Sequence, residues 1–203
     1  MTYRKSQMQR SGTPWLAMFC SVWFLAVPAR GWGSEQVFMV DGTRSHLIFS
    51  GHSTGHDFQG QTTAIAGRFG YDQDRMIESG FGEVHIPVTS IKTGNAARDA
   101  NMYKHLDVEH YPEILFQVRR LAGAPQLGTS RFSGKLIGEL SIKGVTKEIP
   151  LHLTITSGEP QQLAIRGTAA LRMSDFNIEP PGFLFFRVED EVQVDFQVIG
   201  KAQ

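Results

Sequence analysis

The 203-residue chain has little cysteine, no cluster of positive charge and no long apolar segment. Its single cysteine, Cys20, lies near the N-terminus, so the chain that follows can form no disulfide and must rely on its core. No stretch reaches the roughly 20 consecutive apolar residues that a membrane-spanning helix needs. Basic runs interleaved with aromatic residues are also missing. We therefore expect no integral membrane segment and no nucleic-acid partner.

Sequence motifs of the common enzyme classes are missing as well. There is no Gly-x-Ser-x-Gly nucleophile elbow, and no pair of carboxylates has a spacing that marks a general acid and base. The segment Gly128–Lys135 differs from a phosphate-binding loop, because five residues separate its glycines and Leu136 replaces the required Ser or Thr. We predict that the protein is not an enzyme, has no catalytic residue and needs no cofactor.

Several histidines raise the possibility of a metal site. His52 and His56 have a spacing that aligns two imidazoles on a helix, but Ser53-Thr54-Gly55 between them predicts a loop. Zinc needs three or four ligands that converge on one point. We predict no metal site, and a metal or redox factor that depends on these histidines is the weaker alternative. The possible further ligands are His46, Asp57, His105 and His110.

The N-terminal segment has the pattern of a secretory signal peptide. A 13-residue apolar run, Trp15 to Val27, follows the three basic residues Arg4, Lys5 and Arg10. Val27-Pro28-Ala29 places small residues at a cleavage site, and Gly31-Trp32-Gly33 offers a second. We expect residues 1–33 to be cleaved and residues 34–203 to form one domain in the periplasm, with a retained anchor as the alternative. Cleavage after Ala29 removes three basic residues from 20 of each sign, which leaves a net charge of −3.

Apolar and polar residues alternate with period two through the rest of the chain. Val192, Val194, Phe196 and Val198 alternate with Glu191, Gln193, Asp195 and Gln197. Such strands have one apolar and one wet face, which is typical of antiparallel sheets. Their regular spacing favours a sandwich or a barrel, between which the alternation cannot decide. The predicted strands are roughly residues 37–41, 45–52, 62–71, 80–89, 113–121, 131–142, 147–156, 161–173 and 188–199.

One short helix interrupts the strands. Asn95 is a suitable N-cap, and Ala96, Ala100, Tyr103 and Leu106 form a stripe at helical spacing. We expect this stripe to pack on a sheet edge or to close one end of a barrel. Later in the chain, Lys143-Gly144-Val145-Thr146 predicts a tight hairpin with Gly144 at positive φ.

Four blocks of the sequence resemble the YceI-like family, and together they run from about residue 38 to 200. They are Val40–Phe49, Ile91–Pro112, Gly138–Pro150 and Ser174–Phe176 followed by the strand from Val188. The resemblance implies an all-β fold, an extended antiparallel lipocalin-like β-barrel of about eight strands with one short helix in a crossover. It also implies a secreted protein without enzymatic activity, whose hydrophobic cavity binds a polyisoprenoid or an isoprenoid quinone.

The same resemblance implies a ligand-binding lumen lined by the inward-facing apolar residues, for which an ordinary core is the alternative. We predict a carrier of an isoprenoid lipid or another long apolar small molecule, as a monomer or homodimer. A stress-related structural or interaction protein with a filled barrel is the alternative. Phe183 and Phe185, which follow Pro180-Pro181-Gly182, form a possible gate, or else a plug of a packed core. The predicted lumen residues are Phe49, Phe69, Val84, Ile86, Phe116, Phe132, Leu136 and Phe196.

Overall fold

The computed structural model describes residues 35–122, 131–157, 161–183 and 186–203, which contain eleven strands and two α-helices. The helices are α1 (Met76–Ser79) and α2 (Ala96–His105), and neither is long and apolar enough to cross a membrane. The strands are β1 (Glu35–Val40), β2 (His46–Ser53), β3 (Phe58–Thr62), β4 (Ala66–Asp72), β5 (Phe81–Pro87), β6 (Glu113–Ala122), β7 (Arg131–Ile142), β8 (Val145–Ser157), β9 (Gln162–Arg172), β10 (Gly182–Phe183) and β11 (Phe186–Ala202).

Eight of the strands close into an antiparallel barrel. Their order is β1-β4-β5-β6-β7-β8-β9-β11, and β11 returns to β1 through the pairs from Phe38↔Ala202 to Val40↔Gly200. A continuous ring of strand pairs distinguishes this arrangement from a sandwich of two open sheets. The expected antiparallel β-barrel with a helix in a crossover is therefore confirmed.

Two of the barrel's walls are interrupted partway along. Strands β1 and β2 both pair with β11, each along a different part of its length. On their other edges, β1 pairs with β4 and β2 pairs with β3. The sequence predicted a single strand over residues 62–71. This prediction is wrong for residues 62–65, because β3 ends at Thr62 and β4 begins at Ala66. The chain instead breaks at residues 63–65, where the Thr62 hydroxyl oxygen accepts a hydrogen bond from the Ala64 N–H at 3.0 Å. In β3 only Phe58 is apolar, so the alternation that reveals strands is missing there.

The break between β1 and β2 is tied to β11 by a compact turn. The Ser45 hydroxyl donates to the Asp41 carbonyl oxygen at 2.7 Å and accepts from the Ile199 N–H at 3.0 Å. The Lys201 ammonium lies 2.7 Å from the Asp41 carboxylate, and with the Thr43 hydroxyl it lowers the pKa of Asp41 to about 2. Because that pKa is depressed, the ion pair stabilises the fold above the ordinary value of 3.8 and is lost as pH falls through about 2.

Replacement of Ser45 by alanine should measure how much this turn contributes. Ser45 is 1% exposed, so the variant leaves the buried Ile199 N–H without its acceptor. We expect a loss of about 1–3 kcal/mol in unfolding free energy, seen as a lower Tm by circular dichroism. Ser133→Ala is the control, because that exposed hydroxyl pairs only with Thr154. Equal Tm values for the two variants would contradict the role assigned to Ser45.

The hairpin and the helix cap agree with the sequence prediction, and the buried face of α2 agrees in part. Lys143 and Gly144 have φ values of 50° and 73°, and the Asn95 side chain accepts from the Arg98 N–H at 3.1 Å. Ala96 and Ala100 of the predicted stripe are exposed. Tyr103 and Leu106 of that stripe are half-buried, and the helix packs through them together with Asp99 and Met102.

The two ends of the barrel differ. At one end, which we call the helix end, lie α2, the β7–β8 hairpin, the end of β9 and the start of β11. At the other end buried apolar residues form a packed plug of Phe38, Phe69, Leu163 and Val198. Within the plug the rings of Phe38 and Phe69 stack with centroids 5.5 Å apart, and the Tyr71 ring stacks with Phe38 at 6.1 Å. The barrel interior is therefore closed opposite the helix end.

Candidate ligand-binding cavity

The barrel interior contains an apolar cavity of about 560 Å3. This volume falls within the roughly 300–1,000 Å3 of typical small-molecule sites. Several of its wall residues, among them Phe49, Phe116 and Phe196, are only half-buried although they face inward. The barrel is consequently hollow above the plug rather than filled by side chains.

Seven of the eight predicted lumen residues line this cavity. The exception is Phe132, which is 5% exposed and packs in the wall among Leu136, Leu151 and Leu153 without reaching the cavity. Its ring is covered by neighbouring side chains of that cluster. The seven that line the cavity are Phe49, Phe69, Val84, Ile86, Phe116, Leu136 and Phe196.

Glycines opposite the lumen phenylalanines keep the cavity open. Gly60 is the direct cross-strand neighbour of Phe49, and a Cβ added to it would lie 2.1 Å from the Phe49 ring. Gly51 stands in the same relation to Phe58, at 2.4 Å. Each ring therefore occupies the place where the opposite residue would otherwise have a side chain, which leaves the centre of the lumen free. Strand register creates these pairs, so single-sequence reasoning missed them.

The polar residues that line the cavity gather at the helix end. His56 lies in the turn after β2, Arg172 ends β9, and Arg187 begins β11. On α2, Arg98, Asn101 and His105 follow one another at spacings of three and four residues, which places them on one face of the helix. The cavity therefore has apolar walls and a polar opening at the helix end. We call Arg98, Arg172, Arg187, His56 and His105 the rim.

Arg98 and Asp99 have separate roles, although they are neighbours in sequence. The Arg98 guanidinium lies 5.8 Å from the centroid of the Phe58 ring, in a cation–π contact at the cavity. The Asp99 carboxylate accepts hydrogen bonds from the Thr93 hydroxyl at 2.6 Å and from the Thr93 N–H at 2.8 Å. These bonds lower the pKa of Asp99 and hold α2 to the segment before it.

The sequence matches one protein family over most of its length. The family model of the YceI-like domain matches residues 38–199. The chain belongs to the YceI-like family. The resemblance seen in the sequence is thereby confirmed over the whole barrel, although no curated protein is similar enough in sequence to match the chain.

Solved structures support the same YceI-like fold. BcnA of Burkholderia cenocepacia superposes with a TM-score of 0.65 at 20% identity, covering 79% of this chain and 98% of BcnA. A polyisoprenoid binding domain from Saccharophagus degradans, implicated in plant cell wall breakdown, gives 0.66 at 17% identity, covering 82% and 98%. The Campylobacter jejuni YCEI protein gives 0.56 at 19% identity, covering 71% and 84%. At such identities the similarity concerns the fold.

The histidines considered as metal ligands lie apart in this YceI-like barrel. His52 bonds to Asp57, which raises the pKa of the imidazole, and His110 bonds to Asp107 at 2.8 Å with the same effect. His56 and His105 belong to the rim, and His46 is exposed on the outer wall. Across the described residues, no three side chains able to bind a metal come together.

The gate expected at Phe183 and Phe185 stays a prediction. Phe185 lies outside the described residues, and of Phe183 only the backbone is described, paired with Phe186 between β10 and β11. The preceding Pro181 does line the cavity.

Proposed function

We propose that this protein carries a polyisoprenoid or an isoprenoid quinone with the apolar tail inside the barrel. One observation supports this most directly: the closed barrel contains an apolar cavity of about 560 Å3 where a filled core would be expected. A structural protein with a packed barrel would have no reason to leave that volume empty. The proposal includes no catalysis; among the described residues that line the cavity, no nucleophile is hydrogen-bonded to a base.

The cavity can accommodate a tail of useful length. If each carbon occupies roughly the 30 Å3 of a liquid water molecule, the cavity holds about four isoprene units. Removal of each CH2 from water contributes about 0.8 kcal/mol, so such a tail gains on the order of 10 kcal/mol. Association costs about 4–15 kcal/mol, and burial of the tail therefore offsets most of it. The Saccharophagus degradans relative, a polyisoprenoid binding domain, gives the ligand class independent support.

Export to the periplasm belongs to the same proposal. Its support is the charged N-terminus, the apolar run from Trp15 to Val27 and the small residues before Arg30. A carrier of insoluble lipid is useful in an aqueous compartment between two membranes.

One preparation tests both parts of the proposal. The native protein would be purified without detergent from the periplasmic fraction of a Gram-negative host, then extracted with organic solvent and read by mass spectrometry. We expect an isoprenoid in the extract and an intact mass that places the mature N-terminus between Arg30 and Glu35. An empty extract, together with no binding of added geranylgeraniol, would refute the carrier function. A full-length chain in the membrane fraction would refute export.

A further inference from the structure

The charges around the cavity all have one sign. Among the described residues that line it are three arginines and two histidines, the rim, but no aspartate or glutamate. The chain as a whole has as many acidic as basic residues, 20 of each. The balance of acidic and basic residues in the cavity lining therefore differs from that of the whole chain, and the basic residues lie at the open end.

The topology brings rim residues together from distant parts of the sequence. The Arg187 N–H donates to the Thr54 hydroxyl at 3.1 Å, so β11 begins beside the turn that carries His56. Arg98 contacts the ring of Phe58, which is the first residue of β3 and follows this turn directly. Positive charge thus surrounds the place where an occupant of the apolar lumen would end.

Nearby carboxylates are already engaged by other partners. Asp99 accepts both donors of Thr93, and Asp57 bonds to His52. Asp190 accepts from the Ser174 N–H at 2.8 Å and from its hydroxyl at 2.5 Å, although it also lies within electrostatic reach of Arg172. Asp99 likewise lies within electrostatic reach of Arg98. Arg98 and Arg187 are the rim cations that adjoin the turn between β2 and β3, Arg98 through the Phe58 ring and Arg187 through the Thr54 hydroxyl.

We propose that the natural ligand is an amphipathic lipid whose apolar tail ends in an anionic group, such as a phosphate or a carboxylate, bound by Arg98 and Arg187. This inference rests on the proposed carrier function and specifies its ligand. Guanidinium groups bind both oxyanions through charge-assisted hydrogen bonds. A neutral head group would leave this positive field unmatched, because no carboxylate of the described lining balances it.

The test compares three ligands that share one geranylgeranyl tail: geranylgeranyl monophosphate, geranylgeranoic acid and geranylgeraniol. Delipidated protein would be titrated with each by calorimetry, at low and at high salt. We expect an anion to bind at least about tenfold more tightly than the alcohol, equivalent to about 1.4 kcal/mol. This preference should shrink at high salt because ions screen the rim. The tighter of the two anions would identify the head group as phosphate or carboxylate.

Two variants assign the preference to the rim. The double variant Arg98→Gln, Arg187→Gln should lose most of the preference, measured as the ratio of its affinities for the anion and for the alcohol. Arg120→Gln is the matched control, because Arg120 is exposed and lies away from the cavity. Equal binding of all three ligands, or a preference that survives the double variant, would overturn the anionic head group and leave the carrier function intact. If none of the three bound, the carrier function and this inference would both fail.

Discussion

Replacement of Gly60 by alanine is expected to reduce the affinity for geranylgeraniol by at least about tenfold, equivalent to about 1.4 kcal/mol, while the barrel stays folded. The added methyl would lie 2.1 Å from the Phe49 ring, and no backbone atom is comparably close. The ring must therefore leave the wall, and the space open to it is the lumen. Calorimetric titration of the delipidated variant measures the effect, with thermal unfolding to confirm the fold.

A second substitution separates this mechanism from a general loss of structure. The Phe49 ring atoms nearest to the added methyl are Cε1 and Cζ, which leucine lacks. Phe49→Leu combined with Gly60→Ala should therefore recover most of the affinity, and the double-mutant cycle should show strong coupling. Unchanged affinity in Gly60→Ala, or additive effects of the two substitutions, would show that the ring does not depend on Gly60 for its position.

The two aromatic groups of the interior should respond very differently to truncation. Phe38 is 4% exposed in the plug, so Phe38→Ala should cost roughly 3–5 kcal/mol of unfolding free energy. Phe49 is half-buried and borders the lumen, so Phe49→Ala should cost only about 1–2 kcal/mol. Denaturant titration of the delipidated protein measures both values.

The comparison also tests whether the lumen is hollow. Ligand-free protein has solvent or empty space beside Phe49, whereas Phe38 is enclosed by Phe69, Tyr71 and the rest of the plug. Saturation with geranylgeraniol should raise the cost of Phe49→Ala, because the tail then packs on that ring, and should leave the cost of Phe38→Ala unchanged. Equal costs without ligand would mean that Phe49 belongs to an ordinary filled core.

Much of the strand pattern could be predicted because one face of each strand is apolar. The bounds expected for β7, residues 131–142, agree with the structure, and β8 extends the expected range by only a few residues. Prediction failed where that contrast is missing. Strand β3 is nearly all polar or glycine, and α1 has only four residues, too few for a helical period. The apolar stripe assigned to α2 failed at Ala96 and Ala100, because alanine carries little burial energy compared with the anchoring of Asp99 and Tyr103.

The sequence by itself determined that the chain forms antiparallel strands with an apolar inner face, because residue parity decides which side chains share a face. It could not decide whether that face encloses a core or a cavity, since both require the same alternation. Tertiary structure decided this through register: Gly60 came to lie opposite Phe49, and a slip of one residue would have separated them. Closure of the ring then brought Arg98, Arg172 and Arg187 to one opening. Such proximity depends on how distant segments pair, which no local pattern encodes.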